Sequence, residues 1–436
     1  MRIGIAGLSH LGIVSSVATA AKGFGVIAYD PDPARAEALR AGRLPIVEPG
    51  LPELLAAHGA RIRFTADPAA LADCPLIICA ADVPTDRDNR SDLSVIRMLL
   101  DTVAAHGAPG TTLVVLSQVP PGFTREVAET RRRVQPQRHL DVCYQVETLI
   151  VGRAADRALT PERFIVGCRN PRAPLPAAYA EWLARFACPV FTMRYESAEL
   201  AKIAVNLFLV SSVSTANTLA ELCEALGADW AEMIPALQAD RRIGPHAYLQ
   251  PGLGLGGGNL ERDLATVREL ASRHGTEAGI VDAWLANSAH RREWVLTALH
   301  DTVLWAGRDP LIAVWGLAYK PQTHSTKNSP TLHLLDALRP CAVTAYDPQA
   351  RLPENGFAHV RQAAGALEAC QGADALAILT AWPAFASIDP AAIRARLRGR
   401  LVLDPLGILD GRRCAEAGLS YRRLGAPAER LETVPC

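Results

Sequence analysis

RIGIAGLSHLG, residues 2–12, sets a glycine-rich turn between a short apolar run and a helical pattern. The apolar run is Arg2–Ala6, and the small residues of the helical pattern continue to Lys22. The turn itself matches the GxGxxG fingerprint of dinucleotide-binding folds except at Ser9. The middle glycine of that fingerprint lets the backbone approach a pyrophosphate closely. The Cβ atom of Ser9 is expected to make that approach less close.

An acidic residue follows the second apolar run. Gly25–Tyr29 is typical of a buried strand, and Asp30 at its end lies 23 residues beyond Gly7. A carboxylate at this position accepts a hydrogen bond from the ribose 2′-hydroxyl and repels a 2′-phosphate. The pattern therefore predicts NAD rather than NADP as the cofactor. The alternative is a strand–turn–helix corner that binds no nucleotide.

The rest of the chain predicts three regions. Apolar runs separated by helical stretches indicate a parallel, doubly wound sheet up to about Thr192. Ser197–Leu226 is predicted to be one long helix that stops at Gly227, and Leu260–His290 is a second helical stretch. After Pro310 the α/β pattern restarts. The predicted fold is α/β, with two Rossmann-like doubly wound domains joined by a long central helix and a helical dimerisation segment.

The composition excludes several classes of protein. The chain of 436 residues balances 45 Lys and Arg against 45 Asp and Glu, which argues against a nucleic-acid binder. Its ten cysteines form no CxxC pair and no cluster with histidine, so we expect no metal site. We expect instead reduced, buried thiols in a cytoplasmic protein. No apolar run beyond the N-terminal one reaches the roughly 18 residues that span a bilayer, so no membrane association is expected.

Short motifs occur along the chain in a fixed order. They are Glu48-Pro49-Gly50-Leu51, Val83-Pro84-Thr85, Ser117-x-Val119-Pro120-Pro121-Gly122, Ala198-Glu199-Leu200-x-Lys202-x-x-x-Asn206, Asp240-x-Arg242-Ile243-Gly244, Gly316-Leu317-Ala318-Tyr319-Lys320-Pro321, Asp347-Pro348 and Thr380-x-Trp382-x-x-Phe385. Each motif is short, but their joint order and spacing are specific. Over nearly its whole length the chain resembles the UDP-glucose/GDP-mannose dehydrogenase family, the nucleotide-sugar 6-dehydrogenases.

The resemblance implies an NAD-binding domain over residues 1–193, a central helical domain over 194–300 that forms a homodimer, and a nucleotide-sugar-binding domain over 308–436. It also implies the chemistry. Such enzymes oxidise the C6 alcohol of a nucleotide-sugar to an aldehyde by hydride transfer to NAD. A cysteine then captures the aldehyde, a second hydride leaves, and the thioester is hydrolysed to a uronic acid. A UDP-hexose is the expected substrate, and polysaccharide biosynthesis is the expected pathway.

The resemblance also assigns binding roles to two sets of residues. Those implied to bind the cofactor are Gly7, Ser9, His10, Leu11, Gly12, Asp30, Thr85 and Lys327, the last in place of a family arginine. Those implied to bind the nucleotide-sugar are Arg242, Tyr248, Leu255, Gly256, Arg262 and Lys320.

Lys202, Asn206 and Glu147 are catalytic candidates. Lys202 and Asn206 are four residues apart on the predicted central helix and so share one face, where a charge and an amide can polarise a reacting oxygen. Asn206 interrupts an apolar stripe, where a polar group needs a partner. The alternative is a surface lysine and a helix-interior asparagine. Glu147 matches a family glutamate implied to act with water as an acid/base group, although Val146 and Val151 replace a proline and a second glutamate there.

The loop PGLGLGGGNLERD, residues 251–263, carries the main departure from the family. Asp263 matches the family's active-site aspartate, whereas Asn259 stands where the nucleophilic cysteine belongs. An asparagine side chain has no group nucleophilic enough to attack an aldehyde. Cys143 and Cys223 are the alternative thiols, and both are interpreted as buried apolar side chains.

Gln118 is a further departure, since it replaces the family's water-positioning threonine. Three functions fit these departures. The first, which we expect, is an NAD-dependent oxidoreductase that stops after one two-electron oxidation, giving an aldehyde or ketone or recycling the cofactor. The second is a full four-electron dehydrogenase that makes a uronic acid without a thioester, with Glu147 as the base toward water. The third is a non-catalytic nucleotide-sugar-binding protein, which the changes at Gln118, Val146, Val151 and Asn259 favour.

Overall fold

The computed structural model describes residues 1–86, 89–304, 309–353 and 355–427. The chain divides into two compact units, Met1–Val205 and Asn206–Cys436. Parts of the predicted C-terminal domain, residues 308, 354 and 428–436, lie outside the described residues.

Strands and helices alternate along most of the chain. The strands are β1 (Arg2–Ala6), β2 (Gly25–Tyr29), β3 (Ile62–Thr65), β4 (Leu76–Cys79), β5 (Thr112–Val115), β6 (Asp141–Gln145), β7 (Phe164–Cys168), β8 (Val190–Arg194), β9 (Leu311–Trp315), β10 (Ala342–Tyr346), β11 (Val360–Gln362), β12 (Ala375–Ile378), β13 (Leu401–Leu403) and β14 (Ser420–Arg422). The helices are α1 (His10–Ala21), α2 (Pro33–Arg40), α3 (Leu51–His58), α4 (Ser94–His106), α5 (Phe123–Val134), α6 (Ala154–Leu159), α7 (Ala177–Ala184), α8 (Tyr195–Leu226), α9 (Trp230–Ala239), α10 (Asn259–His274), α11 (Gly279–Arg292), α12 (Trp294–Leu299), α13 (Pro330–Ala337), α14 (Ala366–Ala369), α15 (Pro383–Ala386), α16 (Pro390–Arg394) and α17 (Gly411–Glu416).

The first unit is built on a sheet with the strand order β3-β2-β1-β4-β5-β6-β7-β8. Neighbouring strands are parallel except β6 and β7, which run antiparallel. Strands β4 and β5 are buried along their whole length and, apart from Thr112, apolar, as expected where helices cover both faces of a parallel sheet. The strand order reverses between β1 and β4, and open α/β sheets bind ligands at this reversal point.

The second unit contains a sheet with the order β11-β10-β9-β12-β13-β14, in which all neighbours are parallel. This order repeats that of the first six strands of the first sheet. Trp315 lies in the core that packs against this sheet, and its ring contacts that of Phe385 with 5.1 Å between the centroids. The prediction of an α/β chain with two Rossmann-like sheets and a long central helix is confirmed.

The long helix α8 begins two residues earlier than predicted and belongs to both units. In the first unit Glu199 is fully buried and accepts hydrogen bonds from the Gly122 and Thr124 N–H groups, at 2.7 and 2.8 Å, at the start of α5. In the second unit the helix exposes large apolar side chains, among them Phe208 and Leu226. By length and composition alone α8 could cross a membrane, although no such segment was expected from the sequence. The core helix of a soluble protein meets the same criterion.

The second helical stretch differs from the prediction of a continuous run over Leu260–His290. It consists of two helices, because Gly275 adopts a left-handed conformation with φ of 65° and ends α10. Glycine is the residue that tolerates this conformation at a helix end. The chain then turns through residues 276–278 before α11 begins.

Candidate functional site

The glycine-rich turn of the first unit is shaped for a ligand at the start of α1. Gly7 has a φ of 91°, and its N–H donates to the Tyr29 carbonyl at 2.9 Å. A Cβ on Gly12 would lie 1.7 Å from the Gly7 carbonyl oxygen, so the turn and the helix meet too closely for any side chain there. Leu11, the neighbour of Gly12, is buried. The N-terminus of α1 lacks a side-chain cap, which suits a backbone N–H anion site.

Ser9 is accommodated by the end of β4. Its hydroxyl donates to the Ala80 carbonyl at 3.3 Å and accepts from the Asp82 N–H at 2.9 Å. The departure from glycine therefore adds a link between the turn and the neighbouring strand. Thr85, farther along the same loop, forms an isolated β-bridge with Ser91.

Asp30 lies buried at the end of β2, beside the turn. Its carboxylate accepts hydrogen bonds from the Leu8 N–H at 2.7 Å and from the Asp32 N–H at 3.0 Å, and Arg35 approaches to 3.4 Å. A carboxylate at the end of the second strand is the group that recognises an adenosine ribose in such sheets. The turn, the helix N-terminus and Asp30 together fit a dinucleotide such as NAD.

Lys202 and Glu147 meet within the first unit. The Nζ atom of Lys202 lies 3.6 Å from Oε2 of Glu147, and both side chains are largely buried. Glu147 also accepts a hydrogen bond from the Leu149 N–H in the irregular segment after β6. Gln118 is half-buried in the turn after β5, a strand next to β6 in the sheet. A cation and a carboxylate held together in this way can stabilise negative charge and exchange a proton.

Asn206 and Asp263 meet within the second unit. The Asn206 amide donates to the buried Asp263 carboxylate over 2.5 Å, so the sequence expectation of a partner for Asn206 is met. Arg262, also buried, places its Nε atom 3.6 Å from Asp263. Because the amide donates one hydrogen to Asp263, the other hydrogen of its NH₂ group remains for a further acceptor.

The glycine-rich loop before α10 packs against the loop that follows β9. Gly257 has a φ of 81°, and a Cβ there would approach the Tyr319 ring to 2.7 Å. The Lys327 ammonium lies 3.4 Å from the position of a Cβ on Gly258, so Lys327 borders the start of α10. Asn259 is the first residue of that helix and is exposed. The structure therefore places Asn259, at the sequence position where a nucleophile was expected, on an exposed helix N-terminus.

The remaining substrate candidates are more scattered. The Leu255 N–H donates to the Ser288 hydroxyl at 2.8 Å, and Gly256 lies beside the 328–330 segment. Lys320 holds its ammonium 5.7 Å from the Tyr319 ring centroid. Arg242 and Tyr248 are exposed between α9 and α10, and the Arg242 guanidinium pairs with Asp240 at 2.6 Å. Among the described residues, it pairs with none of the catalytic candidates.

The thiols considered as substitutes are structural. Cys143 lies in the buried core on β6, and burial raises its pKa to about 12. Cys223 is buried on α8 beside Trp230. The interpretation of Cys143 and Cys223 as apolar core side chains agrees with the structure.

Two buried carboxylates next to the site were not assigned a role from the sequence. Glu199 lies one helical turn before Lys202, and this spacing could have identified it as a residue on the same helix face as Lys202. Burial raises its pKa, and the N–H donors of α5 oppose that rise. Glu48 contacts His10 through Oε2 at 3.1 Å from Nε2. Its partners come from distant parts of the chain, so no local spacing could have identified it.

Comparisons with known proteins cover nearly the whole chain. Residues 1–184 match the NAD-binding domain of the UDP-glucose/GDP-mannose dehydrogenase family, residues 196–288 its central domain and residues 313–411 its UDP-binding domain. The UDP-glucose 6-dehydrogenase of Pseudomonas aeruginosa is 32% identical, with 98% of each chain covered. That of Rhizobium meliloti is 31% identical over 98% of this chain and 100% of its own.

The same relationship holds in three dimensions. A UDP-glucose dehydrogenase from the hyperthermophilic archaeon Pyrobaculum islandicum superimposes with a TM-score of 0.83, at 28% identity and with 98% of both chains covered. The glycine-rich turn at the start of α1 lies within the residues that match the NAD-binding domain. The chain belongs to the UDP-glucose/GDP-mannose dehydrogenase family and is an NAD-dependent dehydrogenase that acts on the CH–OH group of a nucleotide sugar.

Proposed function

We propose that this enzyme removes two electrons from a UDP-hexose and stops at the carbonyl product. The observation that carries the proposal is Asn259 at the first position of α10, where the resemblance places the nucleophilic cysteine. An amide cannot form the thioester that the second oxidation of the family requires. UDP as the nucleotide is supported by the match to a UDP-binding domain and by relatives named UDP-glucose 6-dehydrogenase.

The alcohol oxidation itself needs groups that this chain retains. Bound NAD supplies the hydride acceptor, held by the turn at Gly7 and by Asp30. As the alcohol is oxidised, Glu147 takes the hydroxyl proton, directly or through water. The Lys202 ammonium stabilises the charge that develops on the oxygen, a role that the resemblance gives to Asn206 as well. Asp263 holds the Asn206 amide in orientation through the 2.5 Å hydrogen bond.

The second candidate is a four-electron oxidation through the hydrated aldehyde. The observation that favours it is the Glu147–Lys202 pair at 3.6 Å, because a carboxylate base can activate water without a thiol. In this route water would add to the carbonyl carbon, and the resulting diol would lose a hydride from carbon and a proton from one hydroxyl. Glu147 would accept that proton, and a second bound NAD would supply the hydride acceptor. The route then yields a uronic acid and two NADH per sugar.

The experiment that separates the candidates counts NADH per nucleotide-sugar consumed and identifies the product by mass spectrometry. One NADH and a carbonyl product support the proposal, whereas two NADH and a carboxylate contradict it. We expect Asn259→Cys to raise the ratio toward two. Asn259→Ala is the matched control and leaves the ratio at one.

Lys202 offers a direct test of the catalytic assignment. Replacing it with methionine keeps the length of the side chain and removes its charge, so we expect kcat to fall about 10²–10³-fold. NADH binding is measured in parallel by fluorescence titration. A kcat that stays within about threefold would contradict the role of Lys202.

We also propose that the enzyme is a cytoplasmic homodimer assembled through the central domain, residues 194–300, between domains over 1–193 and 308–436. The support is the row of exposed apolar side chains on α8, which includes Phe208, Leu222 and Leu226. Such a surface is typical of a protein–protein interface. Multi-angle light scattering tests it: the native chain is expected at twice its 46.7 kDa mass and Phe208→Asp at the single mass. A monomeric native chain would contradict it.

A further inference from the structure

Glu48 is a buried carboxylate that joins two parts of the first unit. Its residue is 3% exposed and lies outside any helix or strand, shortly before α3. We propose that Glu48 is a positioning residue, which holds the start of α1 and the segment after Glu147 in one arrangement and so couples cofactor binding to the chemistry. The catalytic half of this inference rests on the role proposed above for Glu147.

The first link runs from Glu48 to His10. Nε2 of His10 lies 3.1 Å from Oε2 of Glu48, and His10 is the first residue of α1. A shift of His10 therefore moves the uncapped end of the helix, where the phosphates of a dinucleotide would bind. An ionised carboxylate has only acceptors, so opposite ionised Glu48 the Nε2 atom carries a hydrogen, and the contact selects the tautomer of the ring.

The second link runs from Glu48 to the segment that follows Glu147. Oε2 accepts from the Gly152 N–H at 3.0 Å, and Oε1 accepts from the Ala154 N–H at 2.6 Å. Residues 146–150 form neither helix nor strand. Glu147 is thus held between the end of β6 on one side and the two N–H groups bound by Glu48 on the other.

The arrangement requires a carboxylate rather than an amide. Glutamine has the same shape but only one acceptor oxygen, so its NH₂ group would face an N–H donor on one side. A buried donor that loses its acceptor is strongly destabilising. Glu48→Gln therefore removes one of the two acceptor oxygens while it preserves the shape of the side chain.

The test is a double-mutant cycle with two readouts in the full-length protein. NADH affinity is measured by fluorescence titration with no sugar present, and kcat is measured at saturating NAD and sugar. We expect Glu48→Gln to weaken NADH about tenfold and to lower kcat about tenfold, equivalent to about 1.4 kcal/mol in each. In a His10→Asn background, Glu48→Gln should have no further effect on NADH affinity but should still lower kcat.

Two control variants separate positioning from general destabilisation. Glu199→Gln removes another buried carboxylate of the same unit and should lower the Tm while NADH affinity stays within about twofold. His333→Asn breaks an exposed contact with Glu293 at 2.5 Å and should change neither NADH affinity nor Tm. The first control measures the effect of losing a buried charge alone.

The inference is overturned if the effects of Glu48→Gln and His10→Asn on NADH affinity are additive, or if Glu48→Gln lowers the Tm without changing affinity or kcat. If Glu48→Gln does not fold, Glu48→Asp retains the charge and should bind NADH within about threefold of the native protein. Loss of NADH binding in that variant would also overturn it. A ratio of two NADH per sugar would contradict the proposed single oxidation and leave this cycle unaffected, so the two failures are distinguishable.

Discussion

The two sheets of this enzyme begin with the same turn, used in two ways. In each, Gly-Leu follows the first strand, and the second strand ends in Ala-Tyr and is followed by Asp-Pro, at residues 28–31 and 345–348. The glycines, Gly7 and Gly316, have φ values of 91° and 96°. Each glycine N–H donates to the tyrosine carbonyl of the second strand, at 2.9 and 2.8 Å.

The aspartates of the two turns differ in how fully the protein satisfies them. Asp30 receives three N–H donors, of which Arg35 is the most distant at 3.4 Å. Asp347 is completely buried and receives five, from Leu317, Ala318, Gln349, Ala350 and the Trp382 indole. The first carboxylate retains capacity for a ribose hydroxyl, whereas the second is committed to the fold.

The chain that follows each turn differs as well. In the first unit α1 starts at His10, directly after the turn, and Gly12 lets the two pack in contact. In the second unit the next helix begins only at Pro330, and the intervening loop carries Lys320 and Lys327. The same strand–turn geometry thus supports a helix N-terminus in one unit and a lysine-bearing loop in the other.

The largest expected effect tests the close contact at Gly12. A Cβ there would overlap the Gly7 carbonyl, so Gly12→Ala should weaken NADH binding more than about 100-fold, as judged by fluorescence titration. The equivalent position in the second turn, five residues after Gly316, is Pro321, which already carries a side chain. Pro321→Ala is the matched control, and normal NADH binding by Gly12→Ala would refute the distinction between the turns.

The next effect separates the two aspartates. Asp347→Asn should cost about 3–5 kcal/mol of unfolding free energy, because an amide would face several buried N–H donors. Asp30→Asn should cost only about 1–2 kcal/mol but should reduce the preference for NAD over NADP about tenfold. Urea unfolding and kcat/KM with the two cofactors provide the measurements. Equal losses of stability would remove the contrast.

A smaller effect should distinguish the ligands of the two units. NADH at 100 times its Kd should stabilise the protein that it binds by about 2.7 kcal/mol, and UDP should act similarly. Hydrogen exchange should show NADH protecting the amides of α1, and UDP protecting those of the 316–329 loop. Protection of both regions by each ligand alone would show that the turns do not divide the two binding tasks.

The smallest expected effect concerns the thiols, which are alike in the two units. Burial raises the pKa of Cys79 in β4 to about 12 and that of Cys370 in the second unit to about 12. The thiolate fraction at pH 8 is therefore about 10⁻⁴, and iodoacetamide should leave activity unchanged over an hour. Inactivation that substrate prevents would show that a thiol participates.

The same thiols set the sign of an alkaline effect. Their pKa values in the folded protein exceed those of the unfolded chain, near 8.5, so the folded state retains protons that the unfolded state loses. The free energy of unfolding should therefore fall as pH rises from about 8.5 toward 12 and should be unaffected by these groups below about pH 7.5. Urea midpoints across this range provide the check.

The central strands could be predicted from the sequence because their chemistry is local. The bounds of β1 and β2 agree with the predicted runs Arg2–Ala6 and Gly25–Tyr29, since both strands are buried apolar segments between helices. The edge strands were not predicted. β3 contains an exposed arginine, and β8 is largely exposed, so neither carries the apolar pattern that marks an inner strand.

The candidate site was predictable only in part, for a similar reason. The face shared by Lys202 and Asn206 follows from helical spacing alone. Their partners, Glu147 and Asp263, are 55 and 57 residues away in the chain, and such pairings are set by tertiary packing. Glu48 is a stronger case, because its contacts with Gly152 and Ala154 span more than 100 residues.

The amide at the start of α10 also bears on the sensitivity of this enzyme to oxidation. Peroxides convert an exposed, ionised cysteine to sulfenic and then to irreversible sulfinic acid, and a dehydrogenase with a thiolate nucleophile is disabled by that chemistry. Asn259 contains no sulfur, and seven of the nine cysteines in the described chain are buried. In the single oxidation proposed above, the start of α10 thus offers peroxide no sulfur atom to oxidise.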